Sequence, residues 1–257
     1  MLGAIAGDMI GSVYENAPIK SEDFPLWHPH ARATDDSVLA VAVAEAAMGD
    51  GDYARVLRRW GLRYPHAGYG AGFAAWLRDP NPAPYDSYGN GAAMRAPALG
   101  WLFDNEAAVL EAARASALPT HSHPDGIAGA QAVALAVFLA RRGIARDDLR
   151  TRLTLSFGYK LDRRLVDIRP GYRFDATCPG SVPEAFIAFF DSKDFEDTVR
   201  KAVSLGGDAD TQACIAGAIA EAYYGGVPRG IAAETRARLP ADMAKVLANF
   251  EQKRFRE

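Results

Sequence analysis

Apolar residues recur along most of this chain at intervals of three and four positions, which is the spacing of an α-helix. Glycine and proline supply the boundaries, with Gly143 as a predicted stop and Pro124, Pro183 and Pro240 as predicted starts. No stretch alternates apolar and polar residues for long enough to predict a strand, and residues 154–175 are predicted as loop with one short helix. The predicted helices cover residues 2–13, 35–48, 52–63, 69–78, 91–102, 105–117, 124–142, 146–153, 182–191, 194–204, 211–224, 228–233 and 240–252.

Three of these segments carry small apolar residues on every face, namely 35–48, 126–140 and 211–222. A helix that is apolar all round belongs inside a bundle. No linker, internal repeat or low-complexity block divides the chain. We therefore predict an all-α fold, a single compact multi-helix domain over residues 1–257.

Composition narrows the class of protein. The chain has 257 residues and a net charge of −3, which gives no reason to expect nucleic-acid or membrane binding. Two cysteines, Cys178 and Cys214, are too few for a disulfide framework or a thiolate metal site. The longest apolar run, 132–140, is too short to span a bilayer, and no signal peptide is recognisable. We expect a cytoplasmic monomer.

Two short acidic segments stand at the starts of predicted buried helices. Thr34, Asp35 and Asp36 open helix 35–48, and the segment 206–211 opens helix 211–224 with the residues Asp208, Asp210 and Thr211. Oxygen ligands of this kind suit hard divalent cations such as Mg²⁺. If the two helices are neighbours in the bundle, these side chains converge on one metal site.

Helix capping is the alternative explanation for either segment, because Thr and Asp are preferred N-cap residues and acidic residues suit a first turn. A cap needs only one acceptor side chain, however, and each segment offers more. Convergent carboxylates without a cation would repel one another at a cost of roughly several kcal/mol. The two segments together therefore favour a metal site.

The N-terminal segment has Gly3, Gly7 and Gly11 at four-residue spacing, which favours close contact between helices. Asp8 lies within this apolar stretch, so it must be hydrogen-bonded, paired or at a cation site. Glu15 follows the helix and, taken alone, is more typical of a surface carboxylate.

Two further segments could contact a ligand. Gly89, Asn90 and Gly91 precede a predicted helix, where backbone N–H groups could face a phosphate. His121 and His123 are too few and too closely spaced for a zinc site, so hydrogen bonding or substrate contact is the better interpretation. The motifs of P-loop ATPases, Rossmann dehydrogenases, zinc proteases and serine hydrolases are absent from the sequence.

Taken in order, these segments resemble the ADP-ribosylglycohydrolase family, which includes dinitrogenase reductase-activating glycohydrolase and the ADP-ribosyl-acceptor hydrolases. The resemblance runs from the segment 3–8 through 34–37, 89–95 and 120–124 to 207–211, and so covers nearly the whole chain. It implies an all-α domain with two Mg²⁺ ions, or Mn²⁺ in some relatives, at the base of a cleft for ADP-ribose.

The resemblance also implies roles for individual residues. The implied metal ligands are Thr34, Asp35, Asp36, Asp208, Asp210 and Thr211. The implied ligand-binding residues are Ser87, Tyr88, Gly89, Asn90, Gly91 and Met94 on the diphosphate and adenosine side, and His121 beside the distal ribose. The segment 11–15 looks more like the relatives that cleave O-linked ADP-ribose, in which the equivalent of Glu15 gates the site and assists catalysis.

These roles lead to a hypothesis for the reaction. Two cations would orient the cis-diol of the distal ribose and lower the pKa of a bound water, while Asp35 or Glu15 acts as the general base or the proton donor. The expected partners are ADP-ribose and ADP-ribosylated protein or small molecules, with O-linked adducts favoured over Arg-linked ones. The alternatives are a hydrolase of small conjugates such as O-acetyl-ADP-ribose and a non-catalytic ADP-ribose-binding module. Substrate choice is expected to lie in the loops 16–33 and 161–181.

Overall fold

The protein is an all-α domain, described here by a computed structural model that covers residues 1–254. Within that range fifteen helices and no strands occur, and two isolated β-bridges link loop residues. The helices are α1 (Leu2–Gly11), α2 (Asp35–Met48), α3 (Tyr53–Arg63), α4 (Ala71–Arg78), α5 (Gly91–Met94), α6 (Leu99–Leu102), α7 (Glu106–Ala117), α8 (Pro124–Arg141), α9 (Arg146–Phe157), α10 (Leu165–Ile168), α11 (Cys178–Phe190), α12 (Phe195–Ser204), α13 (Ala209–Tyr223), α14 (Arg229–Arg238) and α15 (Ala241–Arg254).

Helices α1 and α13 form the closest pair in the core. A Cβ atom added to Gly3 would lie 2.4 Å from the carbonyl oxygen of Gly217, and one added to Gly7 would lie 2.0 Å from that of Ala213. The same atom on Gly11 would lie 2.5 Å from the carbonyl oxygen of Ala209. The two helices therefore run antiparallel with their backbones in contact, as the glycine spacing predicted, and the end of α1 lies beside the start of α13.

Two of the three small-residue helices, α13 and α2, are buried along most of their length, as their composition predicted, whereas α8 has partly exposed residues such as Ala128. Every residue of α13 from Ala209 to Ala222 is buried, and α13 packs on α1, α8, α11 and α12. Helix α2 is buried from Asp36 to Ala44 and contacts α1, α3 and α15. Burial of each large apolar side chain in this core contributes about 1.5–3 kcal/mol. The start of α2 and the start of α13 thus both lie in the interior of the bundle.

Several predicted helix boundaries were wrong. The predicted helix 91–102 is two single turns, α5 and α6, because Pro97 disfavours helical geometry in the residue before it and lacks an N–H to donate. Helix α11 begins at Cys178 rather than at 182, since Thr177 supplies the N-cap by accepting from the N–H of Gly180 (3.1 Å). Pro183, predicted as a start, lies inside that helix.

Two predicted helices are longer than expected. Helix α9 continues beyond 153 to Phe157, where Gly158 takes a left-handed conformation with φ of 70° and ends it. Helix α14 continues beyond 233 to Arg238, close to Pro240, which cannot continue a helix. Across residues 1–254 no helix is both long and apolar enough to cross a membrane.

Candidate active site

A cleft of about 260 Å³ opens at the end of the bundle where α2 and α13 begin. Side chains from the first turns of those two helices form its floor. Its walls come from Glu15, the connection between α3 and α4, the segment that leads into α5, His121, and the loop before α11. The two acidic segments singled out in the sequence therefore meet at one cavity.

The first turn of α2 is capped without help from Asp35 or Asp36. Its first N–H donates to the carbonyl oxygen of Ala67 (3.0 Å), its second to Oγ1 of Thr34 (3.3 Å) and its third to Oδ2 of Asp8 (3.1 Å). The unpaired N–H groups that open a helix are therefore satisfied by other residues. The carboxylates of Asp35 and Asp36 are not needed as caps and both line the cleft.

Asp8 has the hydrogen-bond partners that the sequence analysis required of a carboxylate inside an apolar helix. Its Oδ1 accepts from the hydroxyl of Thr34 (2.6 Å), and its Oδ2 accepts from the N–H of Thr34 (3.0 Å) and from both the N–H and the hydroxyl of Ser37. Burial raises the pKa of Asp8, although these four hydrogen bonds oppose that rise. Asp8 therefore ties α1 to the start of α2.

The first turn of α13 is arranged differently. Asp208 holds the N-cap position, yet within residues 1–254 its side chain makes no capping hydrogen bond. Its Oδ2 accepts instead from the side-chain amide of Asn90 (2.8 Å). Gly206, with φ of 62°, supplies the left-handed turn that brings the chain into this helix. The carboxylate of Asp208 thus faces the cleft rather than its own helix.

Carboxylates from α1, α2 and α13, and from the residues next to α1 and α13, meet in two groups that share Asp210. Asp8, Asp36 and Asp210 form one, and Glu15, Asp208 and Asp210 form the other; in each, the ligand atoms lie within 4.8 Å of one another. The hydroxyl of Thr211 donates to Oδ2 of Asp36 (3.3 Å) across the gap between the helices.

Two implied metal ligands, Asp35 and Thr34, are not members of these carboxylate groups. Asp35 lines the cleft near Gly68 but belongs to neither group of carboxylates. The hydroxyl of Thr34 donates to Asp8 and lies 3.4 Å from Oδ2 of Asp36. Asp8, in contrast, belongs to a carboxylate group although the sequence analysis did not name it as a ligand. Its position in an apolar helix was the signal.

The chemistry of this donor set fits a hard divalent cation. Burial and the negative charge of Asp8 raise the pKa of Asp35 to about 8, and burial with neighbouring carboxylates raises the pKa of Asp36 and Asp210 well above the ordinary value. Oδ1 of Asp36 is buried and has no hydrogen-bond partner in the part of the chain that the structure describes. A buried, unpartnered carboxylate oxygen among other carboxylates is a position that a cation would stabilise.

The Gly-Asn-Gly segment shapes one wall of the cleft. The N–H of Asn90 donates to the carbonyl oxygen of Ala176 (2.8 Å), and the N–H of Gly89 donates to the hydroxyl of Ser87 (3.1 Å). The sequence analysis expected these N–H groups to face a phosphate, but both are already engaged. Gly91 and Met94 also line the cleft.

Tyr88 does not line the cleft. Its side chain is 52% exposed, and its ring lies 5.5 Å from that of His123. The neighbouring backbone is held in place, because the carbonyl oxygen of Tyr88 accepts from the N–H of Cys178 (2.9 Å).

The two histidines of the segment 120–125 have separate roles. His121 is buried in the cleft wall, with Nδ1 2.8 Å from the hydroxyl of Thr120. His123 caps α8, since its Nδ1 accepts from the N–H of Asp125 (3.1 Å). Burial, and then the charge of Arg95, lower the pKa of His121 to about 3.

The loops expected to choose the substrate differ in their contribution. Phe174 and Ala176, from the loop 161–181, line the cleft, whereas none of the described lining residues comes from the loop 16–33. Phe73 and Tyr85 also line the cleft, and the sequence offered no signal that these aromatic residues face it.

Comparison with known proteins gives a family for the chain. The sequence model of the ADP-ribosylglycohydrolase family matches residues 1–255. The chain is 27% identical over 303 residues to the ADP-ribosylhydrolase ARH3 of Danio rerio, covering 88% of this chain and 81% of that protein. It is 26% identical over 305 residues to ADP-ribosylhydrolase ARH3 of Homo sapiens, covering 88% and 84%.

A solved structure agrees with these sequence relatives. The structure of an ADP-ribosylglycohydrolase-related protein complex matches with a TM-score of 0.72 and 25% sequence identity, covering 99% of this chain and 97% of that one. The family match spans nearly the whole sequence, and the fold and acidic cleft described above agree with it. The chain therefore belongs to the ADP-ribosylglycohydrolase family and is a hydrolase of glycosidic bonds.

Proposed function

We propose that the chain cleaves the bond between C1″ of the distal ribose and the acceptor in ADP-ribosylated molecules, releases ADP-ribose, and requires Mg²⁺ to do so. The observation that carries this proposal is the pair of carboxylate groups that share Asp210 on the floor of the cleft. The unpartnered Oδ1 of Asp36 supports a cation there, because a buried anionic oxygen needs a compensating charge or hydrogen bond.

The proposed metal ligands are oxygen atoms of the cleft floor, which would hold two Mg²⁺ ions or, with the same donors, Mn²⁺. A divalent cation bound there supplies positive charge that orients vicinal hydroxyl groups and favours the ionisation of water. The residues are Thr34, Asp35, Asp36, Asp208, Asp210 and Thr211, with Asp8 behind them.

Glu15 and Asp35 are the groups proposed to move protons. Glu15 is half-buried beside Asp208 and Asp210, and burial together with the charge of Asp208 raises its pKa. Departure of the acceptor develops positive charge on the ribose, which nearby carboxylates stabilise. One of the two residues would give a proton to the leaving atom while the other takes one from the attacking water.

The proposed acceptor linkage is through oxygen rather than through arginine nitrogen. The support is the resemblance of the segment 11–15 to relatives that cleave O-linked ADP-ribose, together with the location of Glu15 at the cleft. Ser87, Gly89, Asn90, Gly91, Met94 and His121 are proposed to contact ADP-ribose from the wall, and Tyr88 from the rim outside it.

A substrate panel tests this proposal. Serine-linked and arginine-linked ADP-ribosyl peptides and O-acetyl-ADP-ribose are each incubated with Mg²⁺, and ADP-ribose release is followed by chromatography. We expect the two O-linked substrates to be hydrolysed faster than the arginine-linked peptide. Faster arginine-linked cleavage would overturn the linkage assignment.

The same panel tests the non-catalytic alternative. Tight ADP-ribose binding without turnover of any substrate would mark a binding module. Turnover of O-acetyl-ADP-ribose alone would restrict the enzyme to small conjugates. The intact carboxylate groups argue for turnover, because a binding module has no need to bury so many like charges.

A further inference from the structure

Arg95 is a buried cation without an acidic partner. Its side chain is completely inaccessible, and none of the ion pairs found across residues 1–254 includes it. Its Nη2 donates to the carbonyl oxygen of Ser116 (2.7 Å) and to Oγ1 of Thr120 (2.9 Å). Burying an unpaired charge is costly, so an arginine in this position needs a reason beyond packing.

Thr120 lies between Arg95 and His121 and contacts both side chains. Its hydroxyl oxygen, also fully buried, accepts from Arg95 and lies 2.8 Å from Nδ1 of His121. The guanidinium group can only donate, so the hydroxyl hydrogen of Thr120 remains to be placed. If Nδ1 of His121 carried a hydrogen, that hydroxyl hydrogen would have no acceptor among these contacts, and a buried hydroxyl without an acceptor is unfavourable. The favoured arrangement is donation from the hydroxyl of Thr120 to an unprotonated Nδ1.

The other ring nitrogen of His121 faces the cleft between two glycines. A Cβ atom added to Gly91 would lie 3.1 Å from Nε2, and one added to Gly89 would lie 3.7 Å from it. The absence of side chains at these two positions keeps Nε2 accessible to a ligand. With Nδ1 accepting from Thr120, the single hydrogen of a neutral imidazole is on Nε2.

We propose that Arg95 and Thr120 are positioning residues that hold His121 as the neutral Nε2–H tautomer, so that it presents one N–H donor to an oxygen atom of the ligand. The proposal rests on the proposed function only for the identity of that ligand, an oxygen-rich nucleotide sugar. The tautomer itself follows from the hydrogen-bond geometry of Arg95, Thr120 and His121. The positive charge of Arg95 also opposes a second proton on the ring.

The tautomer can be observed directly in the whole protein. Long-range ¹H–¹⁵N correlation spectra of protein labelled with ¹⁵N-histidine, without ligand, distinguish Nε2–H, Nδ1–H and the doubly protonated ring. A His121→Asn variant identifies the His121 signals among those of the five histidines. We expect the Nε2–H pattern at neutral pH. An Nδ1–H or doubly protonated pattern in the wild-type protein would overturn the proposal without any need for a folded variant of Thr120.

Variants of Thr120 test the relay. Thr120→Val keeps the shape and removes the hydroxyl, so we expect His121 to shift towards the Nδ1–H form, while Thr120→Ser restores the wild-type pattern. Thr235→Val is the matched control, since Thr235 is equally buried and its hydroxyl donates only to a carbonyl of its own helix (2.7 Å). An unchanged tautomer in Thr120→Val would show that Thr120 does not set it.

Calorimetric titration with ADP-ribose provides the second measurement. Loss of one correctly placed donor should weaken ADP-ribose binding about tenfold in Thr120→Val. Thr120→Ser and Thr235→Val should bind close to the wild-type affinity. Equal weakening in Thr120→Val and Thr235→Val would point to general destabilisation and contradict the relay. If the Nε2–H tautomer is observed but ADP-ribose does not bind, the proposed function fails while the positioning role stands.

Discussion

The starts of α2 and α13 have similar residues but use them differently. At α2, Thr34 and Asp8 cap the helix, and the two aspartates of the first turn are left for the cleft. At α13, Asp208 occupies the cap position without capping its helix, and its carboxylate binds Asn90 beside the cleft. The aspartates of both starts are therefore kept out of capping, whereas Thr34 remains a cap.

This difference explains how several carboxylates can be concentrated in one place. A helix start requires acceptors for its N–H groups, and in α2 a residue from another helix provides one of them. Helix α1 contacts both helix starts, because it supplies Asp8 to α2 and its backbone packs directly against that of α13. The two starts are held together by α1 and not by direct packing of α2 on α13 alone.

The largest expected effect is on turnover when the shared floor is altered. Asp210→Asn removes the charge common to both carboxylate groups, and Asp36→Asn removes the negative charge of the carboxylate that carries the unpartnered oxygen. Each should lower ADP-ribose release by roughly a thousandfold, since charge stabilisation of this kind is the largest catalytic term in many enzymes. Release is measured by chromatography with serine-linked substrate.

Asp104→Asn, at an exposed position away from the cleft, is the control and should keep wild-type turnover. Full activity in Asp210→Asn would show that the two helix starts do not act as one site.

The next largest effect concerns the contact that sets the position of α13. Gly7→Ala would place a methyl group 2.0 Å from the carbonyl oxygen of Ala213, so the helices must separate. We expect a loss of about 3 kcal/mol in the free energy of unfolding, measured by urea denaturation. Gly230→Ala in α14 is the matched control, because nothing lies within 4 Å of that position. It should be neutral or stabilising by up to about 1 kcal/mol, and equal losses in both variants would contradict the close-contact account.

The smallest expected effect is a difference in stability between variants at the two helix starts. In the presence of a chelator, Thr34→Ala should lower the free energy of unfolding by about 1–2 kcal/mol, because a cap and a hydrogen bond to Asp8 are lost. The loss of unfolding free energy in Asp208→Ala should be smaller by about 1 kcal/mol, because the Asp208 carboxylate does not cap its helix and its removal relieves repulsion between carboxylates. Thr34→Ser retains the hydroxyl and should be close to wild type. A larger loss in Asp208→Ala would reverse the comparison.

The all-α fold, the central helices and a close helix–helix contact of α1 could be predicted from the sequence, whereas α13 as the partner in that contact could not. Alanine-rich faces and glycines at four-residue spacing have few other structural explanations, and the family resemblance gave the order of the segments. Helix ends were less predictable where a local exception decided them, as at Pro183 inside α11 and at Pro97 between α5 and α6.

The acidic residues of the site could be predicted from the sequence, but the hydrogen bonds and contacts that hold them in place could not. The role of Asp8 as a cap for α2 depends on a contact between residues 29 positions apart, which no local pattern encodes. The same limit applies to Phe73, Tyr85 and Phe174, whose place in the cleft wall depends on how α4 and two separate loops meet. The engaged N–H of Asn90 was likewise invisible, because its acceptor lies in the loop before α11.

Metal dependence of turnover tests the central claim most directly. The wild-type protein is treated with excess chelator, assayed for ADP-ribose release from serine-linked peptide, and assayed again after Mg²⁺ is restored. If the starts of α2 and α13 form one metal-dependent site, release is lost in chelator and recovered with Mg²⁺. Full release in excess chelator would contradict that account.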